Sequence, residues 1–399
     1  MARVMVVAGG DWQIELIKRI KEKGHFVICS NLYEDSPAFK YADACEVSDV
    51  LDKEKNLEIA KKYNIDACLS DQSDIAVPTV AYINEKLGLN GIGTKLAELF
   101  TDKSMQRSFC KENGIKIPDY VVCENDDDAV SFFKKYKKII IKPIDSQSSR
   151  GVHTIENLED LSRYYKDAIK WSNKKKAFLA EEYIEGDEFT IDGLVVNGHH
   201  YPLCISIKEM YKNNTNISKC QSYSYYSDKY DYDKLRRENK RLFESANLKM
   251  GLTHSEYKAF DGDYYLIEAG ARGGGSNLSA KIVPFMSGID NYNFLIEEAL
   301  GCYVEEKELV SHQFPSNRYV IMRFFDFGTG KVKHVNGIEA ITESPMLIDY
   351  QWQVKVGDYL STPEYGRLRP GHFIIGGDEK SAVEQEADRI LESVCVITE

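Results

Sequence analysis

The sequence predicts three consecutive parts: an α/β N-terminal domain with a doubly wound parallel sheet, an α+β central domain, and a small β-rich C-terminal domain. Short apolar strands alternate with amphipathic helices over the first hundred residues, which is typical of a parallel sheet covered by helices. Residues 101–190 instead follow the order strand, polar loop, strand, helix, strand. From about residue 315 strand-forming segments return, and the chain closes with one helix and one strand.

Length and composition indicate the class of protein. The chain has 399 residues, enough for about two or three domains, with 43% apolar and 29% charged residues, as in a globular protein. A formal net charge of −12 argues against nucleic acid or an anionic membrane as partner, because both require a basic surface. No apolar run is long enough to cross a membrane or to act as a signal peptide. Nine scattered cysteines without a CxxC pair indicate reduced thiols in a cytoplasmic protein.

In the N-terminal part, apolar periodicity predicts alternating strands and helices. Strands are expected at residues 4–8, 25–29, 44–47, 67–69 and around 91–92, and helices at 12–23, 56–63 and 76–87. The turn after the first strand, GGDWQ, lacks the G-x-G-x-x-G spacing of a dinucleotide-binding turn. An NAD(P)-dependent enzyme that uses this sheet is therefore disfavoured.

In the central part, Thr101 or Asp102 can cap a helix that runs to Asn113, and Gly114 lies where a helix end favours positive φ. Further helices are expected at 127–136, 158–171, 236–250 and 292–300, and strands at 139–142, 177–182, 192–196, 203–208, 255–260 and 264–269. The Tyr-, Ser- and Asn-rich stretch 210–233 lacks apolar periodicity, which predicts a solvated connection or a substrate-facing loop. The C-terminal part should end in a helix at 381–392 and a strand at 394–398.

The first cluster with chemical potential is IIIKPIDSQSSRGV, residues 139–152. Lys142 ends a hydrophobic strand, where an ammonium group is costly unless an anion meets it. The loop that follows contains Ser146, Ser148, Ser149 and Gly151. Short side chains and a glycine allow such a loop to turn several backbone N–H groups toward a phosphate. The alternative is an exposed hairpin whose lysine merely extends to solvent, and no Walker A loop is present.

The second cluster is LAEEYIEGDEFTIDGL, residues 179–194. An apolar strand runs into Glu181 and Glu182, and Gly186 interrupts the chain before the next strand begins. Backbone groups of such an interstrand hinge can bind the edge of an adenine, and Glu188 can accept hydrogen bonds from ribose hydroxyls. The alternative is a solvated acidic rim.

The third cluster is HSEYKAFDGDYYLIEAGARGGGSN, residues 254–277. It predicts a hairpin with its turn at 261–263, which places Glu256 and Glu268 on neighbouring antiparallel strands, six residues on either side of Gly262. Two like charges opposite each other destabilise a hairpin unless a cation lies between them. Magnesium, an oxygen-seeking ion, is the expected occupant. The alternative is that one glutamate faces solvent.

In this order, the three clusters resemble the ATP-grasp superfamily and, within it, the carboxylate–amine ligases, among which are relatives of bacterial L-amino acid ligases, biotin carboxylase and the carbamoyl-phosphate synthase large chain. The resemblance covers nearly the whole chain. It implies a Rossmann-like pre-ATP-grasp domain over 1–98, an ATP-grasp domain over 99–310 with a mobile lid at about 115–185, and a small C-terminal α+β domain over 315–399.

The resemblance also implies roles for individual residues. The nucleotide is expected to be held by Lys103, Lys142, Ser146, Ser148, Ser149, Gly151, Val152, Glu181, Glu182, Tyr183, Ile184 and Glu188. The metal, Mg²⁺ or alternatively Mn²⁺, is expected at Glu256 and Glu268, and Arg272 and Lys142 are the expected catalytic residues. The family motif E-x-N-x-R reads EAGAR here, so Gly270 stands at the usual Asn position, and water or Asn277 is expected to replace that ligand.

The implied reaction uses ATP to convert a carboxylate into an acylphosphate, which an amine then attacks to give an amide, ADP and phosphate. The alternative is a nucleotide-binding regulatory module of the same fold without turnover, which loss of a glutamate or of Arg272 would favour. The expected partners are small-molecule carboxylate and amine substrates, with a homodimer as an option. The acceptor pocket is expected to draw on residues 71–74, 210–233 and 272–277. His254 is either a general base or, preferentially, a hydrogen-bonded structural histidine.

Overall fold

A computed structural model describes residues 1–311 and 317–399 of the chain. The expected start of the C-terminal domain at residue 315 lies outside these residues. Within them, no helix combines the length and the apolar character that a membrane crossing requires.

Four parallel strands form the N-terminal sheet in the order β3-β2-β1-β4. They are β1 (Arg3–Val7), β2 (Phe26–Asn31), β3 (Ala44–Val47) and β4 (Ala67–Leu69), accompanied by helices α1 (Ile14–Glu22), α2 (Lys53–Tyr63), α3 (Val77–Leu87) and α4 (Thr94–Leu99). The parallel α/β prediction is confirmed for this part. The strand predicted around 91–92 is wrong: these residues connect α3 to α4. Gly91 packs against Asn84, whose Nδ2 would be 2.7 Å from a Cβ at residue 91.

A second, antiparallel sheet follows in the order β5-β8-β6-β7. Its elements are α5 (Lys103–Glu112), β5 (Tyr120–Cys123), α6 (Asp126–Tyr136), β6 (Ile139–Pro143), β7 (His153–Ile155), α7 (Leu158–Lys170) and β8 (Phe178–Glu182). Asp102 caps α5 by accepting hydrogen bonds from the N–H groups of Ser104 and Met105, and Gly114 has the expected positive φ of 63°. Both local predictions are confirmed.

The largest sheet has eight strands in the order β13-β12-β9-β10-β11-β14-β18-β16. The central part contributes β9 (Glu188–Val196), β10 (His199–Tyr211), β11 (Asn214–Tyr223), α8 (Tyr232–Ser245), β12 (Gly251–Phe260), β13 (Asp263–Gly270), α9 (Val283–Ser287), α10 (Asn291–Ala299) and α11 (Lys307–Ser311). The C-terminal part contributes β14 (Tyr319–Phe324), β15 (Gly330–Asn336), α12 (Glu339–Thr342), β16 (Leu347–Trp352), β17 (Tyr359–Leu360), β18 (Gly371–Gly377), α13 (Lys380–Ser393) and β19 (Cys395–Thr398). The predicted C-terminal helix and last strand are confirmed.

Two central predictions differ from the structure. The stretch 210–233 contains the ten-residue strand β11, which lies between β10 and β14, so an irregular connection is wrong for those residues. Its polar positions Asn216, Ser218 and Gln221 line a cavity, which is why the strand lacks an apolar alternation. The helix predicted at 236–250 begins four residues earlier and ends at Ser245.

Packing joins the three parts. One buried cluster includes Val4 and Leu16 of the N-terminal part, Leu194 and Tyr211 of the central sheet, and Met322 of β14. Strands β14, β16 and β18 extend the central sheet by direct hydrogen bonding. The large sheet therefore continues across the junction between the central and C-terminal parts.

Candidate active site

A cavity of about 700 Å³ lies where the N-terminal sheet, the four-stranded antiparallel sheet and the large sheet meet. The N-terminal part contributes Gly10, Trp12, Asn31, Tyr33 and Asp74, and the loop between β6 and β7 contributes Gln147, Ser148 and Ser149. The large sheet contributes Glu188, Lys208, Gln221, Glu256, Glu268, Phe324 and His372, and the C-terminal part also contributes Gly366 and Arg369. A ligand in this cavity can therefore contact every part of the chain.

The β12–β13 hairpin places Glu256 directly opposite Glu268. Its loop residues Asp261 and Gly262 both have positive φ (51° and 74°), as in a type I′ turn. Counting from this two-residue loop sets Glu256 opposite Ile267, but a β-bulge after Glu256 shifts the register by one residue. Both carboxylates consequently line the same cavity. The predicted cross-strand pair is confirmed, and the bulge is its structural cause.

Each carboxylate of this pair has an ammonium group beside it. Lys103 Nζ is 3.0 Å from Glu268 Oε1. Lys208 Nζ is 2.6 Å from Glu256 Oε1 and 2.8 Å from Glu188 Oε1. Burial disfavours the charge on Lys208, but the two carboxylates raise its pKa above the ordinary range. These contacts bring the predicted phosphate lysine Lys103 to the predicted metal pair, and they connect Glu256 with the predicted ribose ligand Glu188.

His254 lies two residues before Glu256 on the same strand. Its Nδ1 is 2.9 Å from Asp192 Oδ1, and its Nε2 is 3.6 Å from Glu256 Oε1. Burial opposes protonation, but Asp192 raises the pKa of His254 to about 9. Burial likewise favours a neutral Glu256, while Lys208 and His254 together hold its pKa well below the usual range. A protonated His254 between two carboxylates orients Glu256, which agrees with the structural reading of this histidine.

Lys142 lies deeper than the cavity wall. Its Nζ is 2.7 Å from Glu181 Oε2 and donates to the carbonyl of Ile267 at 3.2 Å. The fully buried Arg107 contacts the other Glu181 oxygen, with Nε 2.8 Å from Oε1. Burial lowers the pKa of Lys142 to about 8 with the help of the Arg107 charge, against the attraction of Glu181. Lys142 is thus connected to the site through the residue that precedes Glu268.

The predicted adenine hinge lies outside the described lining of the cavity. Glu181 is only 2% exposed, and its carboxylate serves as the counter-ion of Arg107 and Lys142. The ring of Tyr183 lies 4.1 Å from Lys138 Nζ and 4.8 Å from Lys258 Nζ. The carbonyl of Ile184 accepts a hydrogen bond from Lys258 at 3.1 Å, and the N–H of Glu182 donates to the Asp119 carbonyl at 2.9 Å.

The polar loop 145–151 was predicted to turn backbone N–H groups toward a phosphate. Its backbone has the left-handed residues that such a turn requires, but only some of its predicted residues line the cavity. Ser148, Ser149 and Gly151 have positive φ values of 62°, 58° and 68°. Ser148 and Ser149 line the cavity, whereas Ser146, Gly151 and Val152 are absent from its described lining. A Cβ at Gly151 would lie 2.8 Å from Trp171 Cδ1, so this glycine permits close packing within the lid.

The same loop contacts the other parts of the chain. The Ser146 carbonyl accepts from Lys103 Nζ at 2.7 Å, and the Gln147 side chain accepts from the Asp74 N–H at 3.3 Å. The Ser148 carbonyl accepts from the Gly366 N–H at 3.3 Å. The loop therefore lies over the cavity and connects its N-terminal wall with its C-terminal wall.

Arg272 forms a two-point ion pair with Asp74. The Nε–Oδ1 distance is 2.9 Å, the Nη2–Oδ2 distance is 2.6 Å, and Nη1 donates to the Gly273 carbonyl at 2.9 Å. Burial opposes both charges, but Arg272 lowers the pKa of Asp74 and Asp74 raises that of Arg272. These contacts use three of the five N–H groups of the guanidinium, which leaves two for a ligand.

Gly270 lines the cavity next to this ion pair, and a Cβ there would lie 3.4 Å from Asp74 Oδ1. A side chain at residue 270 would therefore start in contact with the pair. Asn277, the alternative ligand, donates from Nδ2 to Asp349 at 2.8 Å. Its Oδ1 is buried and has no hydrogen-bond partner among the described residues. The structure directs the Asn277 amide toward Asp349 instead of toward the carboxylate pair.

Sequence reasoning gave no individual role to several charged residues of this site, among them Lys208, Arg107 and Asp74. Lys208 ends the segment CISIK as Lys142 ends IIIK, so the same signal was available for it. Arg107 and Asp74 carry no such signal, because their partners Glu181 and Arg272 are distant in the chain. Asp74 does lie in the segment 71–74 expected to form the acceptor pocket.

The carboxylate pair fits a magnesium ion. Among the described residues, no group of three His, Cys, Asp or Glu side chains is arranged to hold a metal by itself. Mg²⁺ usually takes one or two protein carboxylates and completes its shell with water and phosphate oxygens. Glu256 and Glu268 supply that number, and the ammonium groups beside them show that the pair attracts cations.

Two segments of the chain match families of known proteins. Residues 136–280 match the family described as ATP-grasp domain, and residues 323–399 match L-amino acid ligase C-terminal domain 2. Alanine–anticapsin ligase from Bacillus subtilis (strain 168) is 26% identical over 314 residues, which cover 73% of this chain and 65% of that protein. The chain thus spans slightly less than two thirds of this relative's length.

Two solved structures share the whole architecture. The L-amino acid ligase from Bacillus licheniformis has a TM-score of 0.84 at 18% identity, and the match covers 100% of this chain and 99% of that chain. The biotin carboxylase domain dimer of the Hydrogenobacter thermophilus 2-oxoglutarate carboxylase, solved with MgADP, ADP and bicarbonate, has a TM-score of 0.76 at 18% identity, with 100% of this chain and 91% of that chain covered. At such identities the likeness shows the fold.

Proposed function

This chain belongs to the ATP-grasp superfamily, and we propose that it is an ATP-dependent carboxylate–amine ligase. The observation that carries the proposal is the in-register pair Glu256–Glu268, with Lys103 beside Glu268 and Arg272 in the same cavity wall. Two metal carboxylates, a lysine for phosphate and an arginine for anions are the groups needed to transfer a γ-phosphoryl group to a carboxylate. The alanine–anticapsin ligase relative supports the same reaction class.

Glu256 and Glu268 would hold Mg²⁺, or Mn²⁺ in its place. When bound, the ion neutralises charge on the phosphates of ATP. The biotin carboxylase domain solved with MgADP supports this requirement. Lys208 and His254 contact Glu256 from two sides, so its carboxylate is oriented before a ligand arrives.

ATP lies between the lid and the large sheet in this proposal. The hinge Glu181–Ile184 binds the adenine through its main chain, with the Glu181 side chain kept for Lys142. Glu188 accepts from the ribose hydroxyls. The backbone of the loop 146–152, together with Lys103 and Lys142, holds the phosphates, because N–H groups and ammonium groups both favour phosphate oxygens.

The reaction has two bond exchanges. A carboxylate oxygen of the first substrate attacks the γ-phosphorus, and the bond to the bridging oxygen of ADP breaks, giving an acylphosphate. The amine nitrogen of the second substrate then attacks the acyl carbon, the bond from that carbon to the phosphate oxygen breaks, and the nitrogen releases a proton. Arg272, oriented by Asp74, binds the carboxylate and then the acylphosphate with its two remaining N–H groups.

The proposal also covers the substrates, the cellular location, the oligomeric state and the domain boundaries of the enzyme. Its substrates are small molecules, its location is cytoplasmic, as nine unpaired cysteines favour, and a homodimer is an option because the biotin carboxylase domain above forms a dimer. The proposed domains remain 1–98, 99–310 with the lid at about 115–185, and 315–399.

A turnover screen tests the proposal. The protein is incubated with MgATP and with pairs of L-amino acids, then with pools of other carboxylates and amines, while ADP and products are followed by mass spectrometry. We expect at least one pair to give ADP, phosphate and an amide in equal amounts. Normal MgATP binding by calorimetry with no substrate-dependent ADP from any pool would favour the regulatory module and overturn the ligase.

A further inference from the structure

We propose that Arg369 and His372, which flank the ring of Phe324, form a subsite for the carboxylate of the amine substrate, which makes that substrate an amino acid rather than a simple amine; this rests on the proposed ligase function. The three residues belong to the C-terminal wall of the cavity. None of them has a role in the reaction described above.

Arg369 is a cation whose described contacts are carbonyl groups and an aromatic ring. Its Nε donates to the Gly366 carbonyl at 2.7 Å and its Nη1 to the Ser218 carbonyl at 3.1 Å. Its guanidinium carbon lies 3.4 Å from the centre of the Phe324 ring. In the described part of the chain, no Asp or Glu carboxylate pairs with it. Three of its five N–H groups therefore remain for a ligand.

The charge on Arg369 persists at neutral pH. Burial lowers its pKa to about 10, with a smaller opposing effect from Tyr211. A desolvated guanidinium without a counter-ion is unfavourable, and an anionic ligand removes that cost. A planar carboxylate suits the parallel N–H groups of a guanidinium better than a spherical ion does.

His372 supplies a second, independent observation. It is only 4% exposed, yet it lines the cavity, and its buried Nε2 has no hydrogen-bond partner among the described residues. Its ring lies 5.1 Å from that of Phe324, its cross-strand neighbour on β14. Burial, reinforced by the Arg369 charge, lowers its pKa to about 3. A neutral imidazole can donate one N–H to an anion, and a buried polar atom without a partner beside a cavity indicates a position for a ligand.

The surroundings separate the two ends of the cavity by charge. The acidic residues in its described lining are Asp11, Asp49, Asp74, Glu188, Glu256 and Glu268, which belong to the N-terminal part and to β9, β12 and β13. The residues that β11 and the C-terminal part contribute to the described lining include Ser218, Gln221 and Gln351, and none of them is an Asp or a Glu. One end therefore suits a cation bound to phosphate, and the other suits an anion.

The loop 145–151 links this subsite to Arg272 through a series of contacts. The contacts run from Arg369 to Gly366, from Gly366 to Ser148, from the adjacent Gln147 to Asp74, and from Asp74 to Arg272. Because Arg272 and Arg369 line the same cavity, an amino acid whose carboxylate binds Arg369 directs its amine toward the acylphosphate at Arg272 in this proposal. The subsite selects the nucleophile, while Arg272 serves the electrophile.

Calorimetry with the full chain and MgADP tests the subsite without turnover. The probes are the L-amino acids and their α-amides, which lack the carboxylate, and O-phosphoethanolamine, which carries a phosphate. We expect wild-type protein to bind at least one amino acid at least tenfold more tightly than its amide. R369Q should remove this preference while leaving the amide affinity unchanged, and the exposed-site control R163Q should retain it.

Two further variants separate binding from folding. R369K keeps the charge without the planar donor set and should show an intermediate preference for the amino acid over its amide. H372F removes the ring N–H and should lower the affinity for the amino acid several-fold. Thermal unfolding is recorded for each variant. The subsite would be overturned if the wild-type protein bound amino acids and their amides with equal affinity. It would also be overturned if R369Q lowered the affinities for amino acids and for amides by the same factor. If O-phosphoethanolamine bound more tightly than the amino acids and its binding depended on Arg369, the subsite would be a phosphate site and the carboxylate assignment would be overturned. If binding is selective for the carboxylate but no substrate pair is turned over, the proposed ligase function is wrong and the subsite stands.

Discussion

Asp74 and Arg272 are separated by 198 positions in the chain, yet their side chains form an ion pair with N···O distances of 2.9 and 2.6 Å. Asp74 follows β4 of the N-terminal sheet, and Arg272 follows β13 of the large sheet. The N-terminal part therefore orients the arginine of the proposed reaction centre, and each side chain keeps the other ionised in a partly buried position.

Replacing Asp74 with Asn should reduce turnover and stability together. Arg272 would keep its charge without a counter-ion, and we expect the free energy of unfolding to fall by about 2 kcal/mol. Urea denaturation measures that change, and steady-state kinetics should show a lower kcat because the guanidinium is no longer held in one plane. The control D228N alters an exposed aspartate and should change neither quantity. Wild-type kcat in D74N would show that Asp74 does not orient Arg272.

The substitution Glu268→Gln should abolish turnover and leave the fold intact. The carboxylate is partly exposed, with 34% of its side chain accessible, so its loss costs little stability. Removing one of two metal ligands should lower kcat by more than about 100-fold, above the 10–100-fold typical for outer-shell partners of a metal. Circular dichroism and Mn²⁺ binding by EPR accompany the kinetics. E185Q, at an exposed site, is the matched control, and full activity in E268Q would refute the metal assignment.

Lys208 should matter for stability in a pH-dependent way. Lys208 and His254 hold the pKa of Glu256 below its ordinary 4.5, so these contacts contribute stability that is present above about pH 4.5 and is lost as pH falls through the lowered value. Replacing Lys208 with Met leaves the largely buried Glu188 without its ammonium partner and Glu256 with His254 alone, and it should cost about 3 kcal/mol at pH 7.5.

The deficit of K208M should shrink as the pH approaches that lowered value, because Glu256 is then protonated in both proteins. Unfolding free energies at several pH values measure the trend. K175M, at an exposed lysine, controls for the loss of a surface charge. A deficit that is constant with pH would mean that packing, not charge, explains the effect.

Nucleotide affinity should fall as pH rises above about 8. Burial lowers the pKa of Lys142 to about that value, and its ammonium form is the one that binds phosphate. ATP affinity measured by calorimetry should drop by up to about tenfold per pH unit above 8, and K142R, which stays charged, should remove the drop. The lowered pKa of a cationic group also means that Lys142 adds stability as pH rises from about 8 to 10.5. An affinity that does not change with pH would rule out Lys142 as the titrating phosphate ligand.

Local features were predictable because short-range interactions decide them. The Asp102 cap, the positive φ of Gly114 and the Asp261-Gly262 turn depend on neighbours within a few residues. The pairing of Glu256 with Glu268 was also predicted, by counting from a turn centred on Gly262. The structure reaches that register through a two-residue turn and a bulge, a combination that spacing alone does not reveal.

The strand β11 marks where local signals failed. Its polar positions face a cavity that three parts of the chain build, so periodicity in the segment itself contained no sign of burial. The same reason explains why Glu181 was expected to serve only the nucleotide, although Arg107 and Lys142 occupy both oxygens of its carboxylate.

By itself the sequence determined the parallel N-terminal sheet, the order of the three clusters, and the hairpin with its acidic pair, since each depends on neighbours along the chain. Tertiary structure alone decided that three C-terminal strands extend the central sheet, that Asp74 orients Arg272, and that Arg369 has no acidic partner among the described residues. Such contacts join residues tens to hundreds of positions apart, and their formation depends on how whole elements pack.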